Sequence, residues 1–201
     1  MRGFTLVEVV VVIAIISITL PVVFSVMTIV AKQQGKIFRL SEAKQQGDFA
    51  LSFIRDYIQS NAEGINREYD GTVYSFPLCI DPGSAAVTQN GSDFYFPKRQ
   101  TPNEYFRILN QRATIALDGG GTREISQIFL DDNGETKRLT TNNVKIENFE
   151  IECYKKNEDA NLFVKVAFII YYTGDSDAFN LNTAAKDELA ILNYKTVVQL
   201  R

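Results

Sequence analysis

The feature that most constrains this chain is an uncharged apolar run near its start. No residue from Val9 to Ala31 carries a formal charge. As a helix rising 1.5 Å per residue, the run would be about 34 Å long, which exceeds the roughly 30 Å hydrocarbon core of a bilayer. It therefore predicts a membrane-spanning helix over residues 4–31. Pro21 lies inside this run and predicts a kink, because proline cannot donate a backbone hydrogen bond.

A short motif around an acidic residue precedes the run. The segment GFTLVE, which ends at Glu8, follows the basic leader Met1-Arg2. A carboxylate deep in a bilayer costs on the order of 2.5–3.5 kcal/mol, so such groups generally face a partner rather than lipid. A carboxylate at the membrane interface is the simpler alternative. An ordinary secretory signal fits poorly, since it has a longer basic start and a cleavage site after the apolar core.

This motif resembles the type III signal of type IV pilins and type II secretion pseudopilins. The resemblance implies that residues 1–3 are a leader, that a prepilin peptidase cleaves between Gly3 and Phe4, and that the new amino terminus of Phe4 is methylated. It also implies an inter-subunit salt bridge, in which Glu8 of one chain pairs with the Phe4 amine of a neighbour inside a bundle of apolar helices.

The helix is predicted to continue as an amphipathic segment over residues 32–64. Apolar or small residues recur there at spacings of three and four, which is typical of a helix with one buried face. The positions are Ile37, Leu40, Ala43, Gly47, Ala50 or Leu51, Ile54 and Ile58. Phe49, Phe53 and Tyr57 are expected to pack on a sheet. Asn61 to Gly64 supplies the stop, with Gly64 as a candidate cap at the helix C-terminus.

Residues 65–201 have the composition of a β-rich head. Short aromatic or β-branched runs alternate with turn residues such as Asp81-Pro82-Gly83, Asn90-Gly91 and Gly119 to Gly121. Asn133-Gly134 predicts a two-residue hairpin, and a slip in the alternation near Glu147-Asn148 predicts a bulge. The sequence thus predicts an α+β fold, in which a long N-terminal helix packs on a C-terminal antiparallel β-rich head.

The order of the last strands carries a second, looser resemblance. A strand containing FEIECY is followed by a long apolar strand and by a final strand that closes in VVQLR. This order is similar to that of J-type pseudopilins and W-type minor pilins. The resemblance covers the whole chain and implies a pilin-like spine and head in a minor subunit.

Composition excludes several kinds of chemistry. The chain has no histidine, which removes Ser-His-Asp and Cys-His catalysis and the commonest zinc ligand. The triple glycine lacks the Lys-Ser/Thr of a phosphate loop. A net charge of -3 without a large basic cluster argues against nucleic acid as a partner. We therefore expect no enzymatic activity, no catalytic residue and no cofactor.

Calcium is the one metal with candidate ligands. Asp131, Asp132, Asn133 and Glu135 offer clustered oxygen atoms, although an exposed hairpin tip explains Asn133-Gly134 better. Asp175 and Asp177 lie in the long segment from Thr173 to Asp187, which needs something to order it. No metal site is expected beyond these weak candidates.

Cys79 and Cys153 are the only cysteines and match no metal-ligand spacing. If the head lies outside the cytoplasm, they form a disulfide, which could contribute roughly 4 kcal/mol by closing a long loop. Two unpaired core cysteines are the alternative.

The resemblance implies a structural subunit that primes or caps a type IV pilus or a type II secretion pseudopilus. Its expected partners are other minor pilins, the major pilin or pseudopilin, prepilin peptidase and an inner-membrane assembly platform. Before assembly the chain would cross the inner membrane once, with its head outside the cytoplasm, and would later join the fibre. A permanently membrane-anchored, extracytoplasmic binding or adhesin domain is the alternative function.

Overall fold

A computed structural model describes residues 5–69, 72–101, 103–116, 120–158, 160–173 and 191–200. It divides the chain into two compact units, Met1–Arg39 and Leu40–Arg201. The first unit is described as helix from Leu6 onward. The second contains the rest of that helix and the strands that follow.

One helix, α1 (Leu6–Asn61), supplies all the described α-helical structure. It ends at Asn61, where the predicted stop from Asn61 to Gly64 begins, and the chain there pairs with the segment around Lys98. Ala62 forms a bridge to Lys98, and the amide of Glu63 donates to the carbonyl of Pro97 at 2.9 Å. Gly64 does not have the positive φ of a left-handed cap, so that prediction is wrong.

The predicted buried face of α1 is confirmed only in part. Ala43, Gly47, Ala50, Ile54 and Ile58 are buried, at spacings of three and four. Ile37 and Leu40 are 65% and 42% exposed, so the buried stripe begins at Ala43. Phe53 and Tyr57 are half-buried against the core, whereas Phe49 is 53% exposed and is not a core residue.

Within the described residues, ten strands form two antiparallel sheets. The six-stranded sheet has the order β2-β1-β4-β5-β6-β7, and the four-stranded sheet has the order β10-β9-β8-β3. The strands are β1 Asn66–Tyr69, β2 Thr72–Pro77, β3 Ala85–Gln89, β4 Phe94–Pro97, β5 Tyr105–Ala116, β6 Thr122–Asp132, β7 Glu135–Arg138, β8 Val144–Lys155, β9 Leu162–Tyr172 and β10 Ile191–Gln199. The α+β class with a long N-terminal helix is confirmed.

Local pairing confirms two predictions from the sequence. Asp132 pairs with Glu135, and Asn133 and Gly134 between them have φ of 52° and 90°, as a two-residue primed turn requires. The register of β8 against β9 shifts between Glu147 and Glu150, which is the predicted bulge.

Two other predicted turns connect strands in different ways. Asn90-Gly91 does have positive φ at both residues, but it connects β3 to β4, which lie in different sheets. The glycine-rich segment closes the hairpin of β5 and β6, since Ala116 pairs with Thr122. Gly119 itself lies outside the described residues.

The core of the second unit is shared by α1 and both sheets. Its largest fully buried side chains come from every layer: Phe94, Phe96, Phe106, Phe149, Phe168, Ile54 and Ile58 are among them. Burial of such side chains contributes about 1.5–3 kcal/mol each, which makes this cluster the main source of the head's stability.

Candidate functional site at the N-terminal helix

The start of α1 is organised by two residues of the acidic motif. The amide and the hydroxyl of Thr5 both donate to Glu8 Oε2, at 2.9 and 3.0 Å. The amide of Glu8 approaches the hydroxyl oxygen of Thr5 at 3.4 Å. This reciprocal arrangement is a capping box, which satisfies amides that the first turn of a helix leaves without carbonyl partners.

Thr5 was not identified as a site residue from the sequence. The signal was nevertheless present, because a Thr followed three residues later by Glu at the head of an apolar run is the capping-box pattern. The sequence predicts for Glu8 either a position at the membrane interface or a partner in another subunit. In the structure it also has a partner within its own helix.

The first unit exposes its apolar side chains. The helix is long and apolar enough to cross a membrane, and none of its most apolar window is buried within the structure. Large apolar side chains between Leu6 and Val30 are 44–81% exposed. They include Val9, Val10, Ile13, Ile16, Leu20, Val23, Phe24, Met27 and Val30. Apolar surface on this scale requires lipid or other apolar helices around it.

Pro21 lies inside α1, which remains helical on both sides of it. Two hydroxyls in the preceding turn donate to carbonyls four residues back: Ser17 to Ile13 at 2.7 Å and Thr19 to Ile15 at 3.0 Å. Such bonds satisfy hydroxyl groups where water is excluded. The kink at Pro21 stays a prediction.

Several predicted site residues lie outside the described residues. These are Gly3 and Phe4, which would flank the cleavage point, and the calcium candidates Asp175 and Asp177. The cleavage, the methylation and the pairing of Glu8 with a neighbouring amine therefore stay predictions.

Two of the other calcium candidates, Asp131 and Asp132, form ion pairs with cationic side chains. Asp131 is 5% exposed at its side chain and forms an ion pair with Arg107, and its Oδ1 accepts from the amide of Gly134 at 3.0 Å. Lys98 Nζ lies 2.6 Å from Asp132 Oδ1. Among the described residues, no group of three or more His, Cys, Asp or Glu could hold a metal ion. Asp131 and Asp132 thus take part in ion pairs within the fold.

Asp132 also connects the sheet to the helix. The hydroxyl of Tyr57, on α1, donates to Asp132 Oδ2 at 2.6 Å. Burial acts to raise the pKa of Asp132, but the hydrogen bonds from Lys98 and Tyr57 outweigh it and hold that pKa below its ordinary value. Burial, together with the bond to Asp132, raises the pKa of Tyr57 to about 12.

The two cysteines are joined in the structure. Cys79 and Cys153 form a disulfide across 74 positions of sequence. Both are almost fully buried, at 6% and 0% exposure. The bridge links the segment after β2 to strand β8, so it connects the two sheets.

Comparison with known proteins bears on the N-terminal segment alone. Residues 1–20 match the family model described as the prokaryotic N-terminal methylation motif. No curated protein and no solved structure matches the chain. The matched residues contain the capping box and the first part of the exposed apolar helix, which fits a single-pass membrane-anchored protein and suggests a structural rather than an enzymatic role. The chain therefore carries the type IV prepilin-like signal at the head of a long apolar helix, as type IV pilin-like and pseudopilin-like proteins do.

Proposed function

We propose that this chain is a minor pilin or pseudopilin, a structural subunit that primes or caps assembly of a type IV pilus or a type II secretion pseudopilus. It is made in the inner membrane, cleaved after Gly3 and methylated at Phe4. Its apolar helix then leaves the bilayer for a bundle of similar helices from other subunits. The observation that carries the proposal is the methylation motif at the start of a helix whose apolar side chains are exposed.

The geometry of Glu8 supports a role in contact between subunits. Both hydrogen bonds that Thr5 donates go to the same oxygen, Oε2. A cationic amine from a neighbouring chain can therefore approach Oε1 without breaking the cap. Within an apolar bundle this pairing would offset the desolvation cost of both charges, whereas an unpaired carboxylate would oppose burial.

The minor role is supported by the head. It contains two sheets and a long segment between β9 and β10, which makes it bulky for a subunit repeated along a thin fibre. Its late strands keep the order that resembles J-type and W-type subunits. Partners in this proposal are other minor subunits, the major subunit, the prepilin peptidase and the assembly platform.

The first experiment examines processing. The full chain is expressed with and without an active prepilin peptidase, purified from membranes, and its N-terminus is sequenced by mass spectrometry. We expect a methylated Phe4 as the first residue when the peptidase is active and Met1 when it is absent. A chain that keeps Met1 in the presence of the active peptidase would contradict the proposal and favour a permanently anchored binding domain.

The second experiment separates the role of Glu8 in the helix cap from the role of its negative charge. Glu8→Gln keeps a side-chain oxygen for the amide of Thr5, since Gln also forms capping boxes, but it removes the negative charge. Co-assembly with the other subunits is measured by cross-linking in sheared fibres. We expect Glu8→Gln to lose co-assembly as fully as Glu8→Ala, while Thr5→Ser, which keeps both cap and charge, retains it. Normal incorporation of Glu8→Gln would count against the inter-subunit salt bridge.

A further inference from the structure

Strand β3 has an unusual place in the head. The strands before and after it, β2 and β4, belong to the six-stranded sheet, whereas β3 lies at the edge of the four-stranded sheet. The chain therefore leaves one sheet, contributes a single strand to the other and returns. Among the described strands, β3 pairs with β8 alone.

Side-chain burial does little to hold β3 in place. Ala85, Val87 and Gln89 are exposed, and Val87, the largest apolar residue of the strand, is 45% exposed. Only Thr88 is buried, with 3% exposure. Strand β9 of the same sheet buries Val164, Val166, Phe168 and Ile170 almost completely. Because apolar burial is the main stabilising contribution, β3 is held weakly by its own packing.

The N-terminal end of β3, at Ala85, is held by a disulfide bond just before it in the chain. Cys79, six positions before the strand, is bonded to Cys153 on β8. Its φ is 56°, in the left-handed region that residues with a Cβ disfavour. Beyond it, the amide of Gly83 donates to the carbonyl of Lys155 at 3.0 Å, and the amide of Lys155 donates to the carbonyl of Ser84 at 3.3 Å. Water can replace both bonds.

The C-terminal end of β3, at Gln89, is held where the chain crosses close to β5. The amide of Asn90 donates to the carbonyl of Phe149 at 3.1 Å, and the carbonyl of Asn90 accepts from the amide of Asn110 at 2.9 Å. A Cβ placed on Gly91 would lie 1.9 Å from the carbonyl oxygen of Ile108, so the chain passes directly beneath β5. This end does not depend on the disulfide.

We infer that the Cys79–Cys153 disulfide is a redox-sensitive latch on β3, and that its reduction frees the Ala85 end of the strand while the Asn90 end stays fixed. Reduction by a dithiol transfers two electrons and two protons to the bridge, giving two cysteine thiols, while the dithiol becomes a cyclic disulfide. Cys79 can then relax out of the left-handed region, and the edge of β8 next to Ala85 becomes open to solvent or to another extended strand.

Amide hydrogen exchange on the full-length chain in detergent micelles tests this inference, before and after addition of a dithiol. The amide of Asn90 points to β8, and the hydrogen-bonded positions of an antiparallel pair alternate, so Ala86 and Thr88 also point to β8. We expect exchange at Ala86 to accelerate by about tenfold or more, with a smaller change at Thr88, because local opening spreads from the released end. Amides of Val166 and Phe168 in β9 should change least.

Two results would overturn the inference. If Ala86 keeps its protection after the thiols are shown to be free, the latch is not needed to hold β3. If β9 loses protection as much as Ala86 does, the bridge stabilises the whole head and not this strand. A chain carrying Cys79→Ala and Cys153→Ala, studied without reductant, should reproduce the reduced pattern, and wild-type-like protection of Ala86 in that chain would equally refute the latch.

Discussion

The contact between Gly47 and Tyr194 gives the sharpest prediction about packing. A Cβ at Gly47 would lie 2.2 Å from Cε2 and 2.3 Å from Cζ of Tyr194. The hydroxyl of Tyr194 donates to the carbonyl of Lys44 at 3.0 Å, and its ring stacks on Phe168 with centroids 5.3 Å apart. Gly47→Ala must therefore displace a ring that is held on both sides.

The magnitude follows from the competing contributions. Alanine improves helix propensity over glycine by about 1 kcal/mol. Displacing Tyr194 forfeits a hydrogen bond of about 1 kcal/mol, a ring contact of about 1 kcal/mol and a similar amount of apolar burial. We expect Gly47→Ala to lower the free energy of unfolding by about 2 kcal/mol, the difference between these losses and the gain.

Removing the Tyr194 ring should reverse the sign of the effect of Gly47→Ala on the free energy of unfolding. In a Tyr194→Ala background nothing blocks the new methyl group, so Gly47→Ala should stabilise by about 1 kcal/mol through helix propensity. Gly35→Ala is the matched control, since it lies in the same helix and a Cβ there meets nothing within 4 Å. Urea unfolding of the full chain in detergent, followed by near-UV circular dichroism, measures all four variants. Equal destabilisation by Gly47→Ala in both backgrounds would refute the reasoning.

Three further predictions concern the head. Tyr57→Phe should lower the free energy of unfolding by about 1.5–2 kcal/mol, because it removes a hydrogen bond to the charged Asp132. Urea unfolding measures this loss. An unchanged free energy of unfolding would show that the bond does not stabilise the head. Burial raises the pKa of Tyr57 and of Tyr194 to about 12, so the head should keep this stability up to pH 10 and lose it as the pH rises toward 12, since the unfolded phenols ionise first. Absorbance at 295 nm should show these two phenols ionising late, and ordinary titration of all tyrosines would contradict it. Gly91→Ala should prevent a stable head, because its methyl group would meet the Ile108 carbonyl; soluble, protease-resistant protein would disprove this.

Local patterns in the sequence predicted the local features of the fold. The hairpin at Asn133-Gly134 and the bulge before Glu150 could be predicted because each depends on residues adjacent in sequence. The buried stripe from Ala43 to Ile58 was readable for the same reason, through helical periodicity.

Features that depend on residues distant in sequence could not be predicted in the same way. Strand β3 is short and mostly exposed, so its alternation is weak, and its membership in the other sheet is decided by pairing with β8. Strand β5 runs from Tyr105 to Ala116 without a break although the residues in its middle are polar and exposed, because the ladder with β6 continues through them. Tyr57 was recognised as apolar packing, whereas its bond to Asp132 joins residues 75 positions apart.

The candidate site was partly readable from the sequence. The motif ending at Glu8 indicates its processing class, and the capping role of Thr5 follows from the Thr and Glu spacing within that motif. Which subunits the head contacts depends on surfaces of other chains, and one sequence carries little information about those.

The two anchors of α1 within the head have a mechanical consequence. Gly47 receives the ring of Tyr194 from the four-stranded sheet, and Tyr57 reaches Asp132 in the six-stranded sheet. These attachments are about 15 Å apart along the helix axis at 1.5 Å per residue. A force applied along the axis of α1 would therefore act on both sheets at the same time. The helix could move along the head only if both contacts broke together.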